Sequence, residues 1–183
     1  ATSTDAINGS QLYSVADQLA KGDFGYMHVN DGTTTQKAGT TATNYGAGGS
    51  KGGATGTKAI AGGINAQATG TASIAMGFSA NASDDGAIAQ GSQAVASGKG
   101  AIATGSSATA SGQNTIALGN DNTATQESAI AIGHHVTTNK QMSIAIGHSL
   151  RALGANSILM GEGGWVKSDY SVVLGQNATT NDS

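Results

Sequence analysis

The sequence predicts an all-β protein: a parallel β-roll, or solenoid, wound in 14-residue coils. Three observations carry this. Glycine recurs at 63, 77, 91, 105, 119, 133, 147, 161 and 175, always at the same 14-residue interval. The residue three before each glycine is Ile60, Ile74, Ile88, Ile102, Ile116, Ile130, Ile144, Ile158 or Val172, β-branched at every step. Alanine fills the position two before the glycine from Ala61 to Ala145 and recurs three and five positions after it, as at Ala66 and Ala68. Each rung thus holds two short period-2 segments, Ile-Ala-x-Gly and Ala-x-Ala, separated by Gly, Asn, Ser and Thr, which reads as strand, turn, strand, turn. Only 28 of 183 residues are Leu, Ile, Val or Phe, a fraction that suggests disorder. Nine registered repeats and a net charge of only −3 overrule that suggestion.

Strand alternation divides each rung into faces. Were the isoleucines inside the coil, the alanine between them and the glycine would lie outside, where nothing requires it to be small. Placing the alanines inside explains their size, because two alanine-faced strands close into a thin roll. The row from Ile60 to Val172 then points outward, joined by Leu118, Ile132 and Ile146 one residue before the glycine. A lone roll would leave this stripe in water, beyond what monomers tolerate. The main apolar core is therefore expected between subunits, and one self-complementary stripe favours a cyclic oligomer.

Three segments are expected. Residues 1–22 hold Leu12, Val15 and Leu19 at coiled-coil spacing, with Ser10 as a cap and Gly22 as a stop. So short a helix needs partners from other chains. Residues 23–54 form a lead-in segment with a loop or insertion, and residues 55–183 form the roll.

Here the residues resemble a known family. Ser3-Thr4-Asp5-Ala6-Ile7-Asn8-Gly9-Ser10-Gln11-Leu12-Tyr13 resembles the neck motif of trimeric autotransporter adhesins, and the Ile-Ala-x-Gly rungs resemble their YadA-like head repeats. Tyr26-Met27-His28-Val29-Asn30 resembles the segment that opens such heads. The resemblance covers 3–19, 26–30 and about 55–180. It implies a left-handed roll, a homotrimer, and a place on the surface of a Gram-negative bacterium, anchored in the outer membrane through a C-terminal region outside this chain. The implied role is attachment to extracellular matrix protein or a solid surface, with autoagglutination or biofilm formation. A segment of a longer fibre is expected. Rung 161–174 departs from the pattern, with Gly163-Gly164-Trp165-Val166 in place of the alanine pair.

Composition excludes much else. There is no Cys for a thiolate site. Eight scattered basic residues make no stripe for nucleic acid. No apolar run approaches a membrane span, so no membrane contact is expected in this segment. No catalytic signature is present, so neither enzyme activity nor a cofactor is expected. His134, His148 and Glu162 share one rung position and could chelate a metal ion, although solvated turn residues are the default reading and no metal site is expected. Arg151, Leu153, Trp165 and Lys167 form a candidate ligand patch on the outer face of the second strand, where Trp165 lies one rung from Arg151. Two alternatives to adhesion stand: a passive spacer, and an ice-binding solenoid presenting threonine columns, which Gln67, Asn81, Val95 and Arg151 interrupt.

Overall fold

A computed structural model describes Tyr13, the backbone of residues 27–29, and residues 53–180. The expected helix with its seam of Leu12, Val15 and Leu19 lies outside the described residues.

The described chain winds into two ten-stranded sheets. One sheet is made of the Ile-x-x segments, from Ile60–Gly62 to Val172–Gln176, and the other of two-residue strands, from Gly53–Ala54 to Thr179–Thr180. Successive coils pair in parallel at the 14-residue offset, so Ile116, Ile130, Ile144, Ile158 and Val172 lie in one row. At a strand spacing of about 4.8 Å, the nine glycine rungs extend roughly 38 Å. Among the described residues the short-strand sheet starts with Gly53–Ala54, paired in parallel with Gln67–Ala68. Met27–Val29 pairs antiparallel with Ile60–Gly62 and covers that sheet edge, which would otherwise present unpaired amide and carbonyl groups.

The interior is built from four positions per coil. Ala61, Ala66 and Ala68 are fully buried, as are their equivalents in most coils. The fourth position, four before the glycine, holds Ala, Ser or Thr, and its hydroxyls are satisfied locally: Ser73 donates to the Gly70 carbonyl at 2.7 Å, Thr115 to Gly112 at 2.7 Å and Ser157 to Gly154 at 2.6 Å. A hydroxyl is thereby accommodated inside a coil of alanines.

The repeated glycine has two physical causes. Its φ is +118° at Gly63 and +145° at Gly147, a region that side chains disfavour. A Cβ at Gly63 would also lie 2.7 Å from the Gly77 carbonyl oxygen of the next coil.

The roll changes cross-section near residue 120. Up to Thr104 the first strand of each coil is three residues long; from Ile116–Asn120 onward it is five. In the early coils Ala closes a tight turn, as in Ala80 N–H to the Gly77 carbonyl at 3.3 Å. Later coils carry Asn122, Val136 and Leu150 at the same interior position, all fully buried. In these coils the strand runs on through the glycine, and the longer strand persists in the last two coils, where Gly164 and Ala178 hold this position.

Asn122 sits at this junction. Its Nδ2 donates to the carbonyls of Leu118 at 2.6 Å and Gly133 at 2.7 Å, and its Oδ1 accepts from Val136 N–H at 2.9 Å. Asn122→Ala strands these three backbone groups and is expected to cost about 2–3 kcal/mol, read from denaturant unfolding.

The departure at rung 161–174 is compensated. Leu159 and Val166 replace alanines inside, and Gly164 replaces the third. A Cβ on Gly164 would stand 3.3 Å from Leu159 Cδ1 and 2.6 Å from the Ala178 carbonyl, so the larger leucine occupies the space the glycine leaves.

Candidate functional site: the outer faces of the roll

Three surfaces can meet other molecules. The first is the outward apolar face. The row from Ile60 to Ile158 is partly exposed in the single chain, beside fully buried Ala61 to Ala145, which is the division that alanine size implied. Exposure increases two residues on: Met76 is 39% exposed, Leu118 44% and Met160 41%. Ile132 and Ile146 are partly exposed, and the last rung is the most open, with Val172 at 67% and Leu174 at 65%.

The second surface is the outer side of the short strands. The register aligns Thr109, Thr123 and Thr137, and the next two coils bring Arg151 and Trp165 into the same column. The threonine column is therefore three coils long before a charged and an aromatic residue interrupt it. Arg151 Cζ and Lys167 Nζ each lie 5.9 Å from the Trp165 ring centroid, so two cations flank one half-exposed indole. Leu153 is partly exposed two residues beyond Arg151. The structure thus places Arg151, Trp165 and Lys167 together at cation–π distance, with Leu153 beside them in the chain.

The third surface is the turn after the glycine. His134 and His148 stack with centroids 5.2 Å apart and planes 5° from parallel. His148 Nδ1 is 3.6 Å from Glu162 Oε1, so His134, His148 and Glu162 form a ladder along the rod. The donors that converge are a different set: Asp121, His134 and His135, each with a ligand atom within 4.8 Å of the others. Sequence reading missed it because Asp121 and His135 occupy the neighbouring column, a signal visible only when both columns are read together.

Acidic residues elsewhere in the turns are held by the adjacent coil. The Asp85 carboxylate accepts from Thr71 N–H at 3.0 Å, and this backbone hydrogen bond, aided by Lys99, lowers its pKa below the ordinary 3.8. Asp169 accepts from Ala155 N–H at 2.7 Å in the same way. Each of these turn carboxylates ties its coil to a backbone N–H of the preceding one.

A rod of parallel coils with small residues inside and an isoleucine row outside defines a parallel β-roll. The YadA head domain repeat matches residues 54–80, 68–89, 82–108 and 110–135, so this stretch of the roll is similar to the heads of YadA-like trimeric autotransporter adhesins. The same register continues beyond the matched residues to Gly175. No curated protein matches the chain significantly. Heads of this family form homotrimers and are in general not enzymes.

Proposed function

We propose that this chain is the adhesive head of a homotrimeric fibre displayed on the surface of a Gram-negative bacterium and anchored in its outer membrane through a region beyond these residues. The observation that carries the proposal is the outward apolar row, which has no partner among the described residues. Each side chain of that row passing from partly exposed to buried contributes about 1 kcal/mol, and the sum over nine rungs is ample to hold three chains together. The rest of the outer surface is then free for attachment to matrix protein or abiotic material. The patch of Arg151, Leu153, Trp165 and Lys167 is the proposed contact, because a cation-flanked aromatic is a common anchor in protein recognition. Many fibres acting together would compensate for weak single contacts.

Replacing this head in the fibre by an inert insert of equal length tests the reading. Cells are expected to lose attachment to matrix-coated and plastic surfaces, and Trp165→Ala is expected to reproduce roughly a tenfold part of the loss. Unchanged attachment of the insert-bearing fibre would identify the head as a spacer. Measurable thermal hysteresis would favour the ice-binding alternative.

A further inference from the structure

We infer that Asp121, His134 and His135 form a binding site for a divalent transition-metal ion of the Zn²⁺ or Ni²⁺ type. The inference stands on one chain and does not depend on the adhesive reading. Two imidazoles and a carboxylate are a donor set suited to these ions and leave a coordination position for water or a group from another molecule.

The backbone fixes where the donors start. His134 lies in a strand paired to Asn120 on one side and His148 on the other. The His135 N–H donates to the Asn120 carbonyl at 3.1 Å, and His135 has φ +54°, which turns its side chain away from the line of His134. Asp121 occupies the equivalent place one coil earlier, and its Oδ2 is 3.8 Å from His135 Nδ1. The His134 and His135 rings meet edge to face with centroids 4.0 Å apart. Asn120 Nδ2, at 3.3 Å, is the hydrogen-bond donor to the Asp121 carboxylate.

Ligand bonds of about 2.0–2.2 Å place tetrahedral donors roughly 3.3 Å apart. The three atoms already lie within 4.8 Å of one another, so a bound ion has to draw them together by at most about 1.5 Å. The movement is open to solvent, because the His135 and Asp121 side chains are 55% and 39% exposed and His134 is partly exposed, and it exchanges the stacking of His134 on His148 and the Asn120 hydrogen bond to Asp121 for ligand bonds. His148 faces Glu162 and stacks on His134 without being one of the converging donors, so it serves as the control.

The test is calorimetric titration of the tag-free 183-residue chain, first stripped with EDTA, with ZnCl₂ and then NiCl₂. One ion per chain is expected, with a rise in Tm that EDTA reverses. His134→Ala, Asp121→Asn and His135→Asn, the last chosen because Asn tolerates the left-handed backbone, are each expected to weaken binding at least about tenfold while leaving the apo circular dichroism unchanged. His148→Ala is expected to bind as the parent does. The inference is overturned by an absence of saturable binding, by binding indifferent to all three substitutions, or by binding that depends on His148 and not on Asp121.

Discussion

Ile116→Asp is expected to break the assembly. Ile116 is an outward, partly exposed residue midway along the apolar row, flanked by Ile102 and Ile130. If the row meets its copies across a shared axis, the substitution buries three carboxylates near one another without counter-ions, at a cost of about 3 kcal/mol or more per chain. The expected result is dissociation to 17.8 kDa chains or loss of the folded state, read from sedimentation and circular dichroism. Thr109→Asp, on the outer side of the other sheet, supplies the comparison and is expected to change stability by less than about 0.5 kcal/mol. A fully assembled Ile116→Asp protein would mean that the row faces water.

Gly133→Ala is expected to be comparably damaging for a reason confined to the single chain. The new Cβ would fall on the carbonyl oxygen of Gly147 in the next coil, and Gly133 has φ +132°. Backbone strain and overpacking add, giving a loss of roughly 3–5 kcal/mol in chemical denaturation. Gly86 offers the contrast. A Cβ there meets only Gly100 Cα, at 3.9 Å, and its φ of +64° is one that Ala72 adopts at +55° in the equivalent place. Gly86→Ala is therefore expected to cost no more than about 1 kcal/mol.

The fold was legible in the sequence wherever geometry forces a residue type at a fixed step. A backbone carbonyl one coil away permits only glycine, and the thin early coils hold only small side chains inside, so Gly133 and Ala131 continue a repeat that can be read. The face assignment followed because smallness at Ala61 to Ala145 has no cause outside the coil. What could not be read lacks a 14-residue signature. The antiparallel Met27–Val29 strand pairs backwards across the edge, and no period announces it. The buried hydroxyls of Ser73 and Thr115 find partners three residues away, so they occupy an alanine position without altering the pattern. Asn122 resembles a turn residue in sequence, and only the three-dimensional path shows it bridging two coil shapes.

The candidate surfaces divide the same way. Trp165 and Arg151 share a column at one 14-residue step, so their contact could be anticipated. Asp121 and His135 also share a column, but their convergence with His134 joins two adjacent columns through the left-handed turn at His135. Single-column reading therefore favoured the stack of His134, His148 and Glu162.

The central claim is that alanines fill each coil while the isoleucine row is covered by other copies of the chain. Sedimentation equilibrium of the intact 183-residue chain tests it most directly. Three chains of 17.8 kDa, about 53 kDa in total, are the predicted species at micromolar concentration. A folded, stable 17.8 kDa particle would contradict the claim.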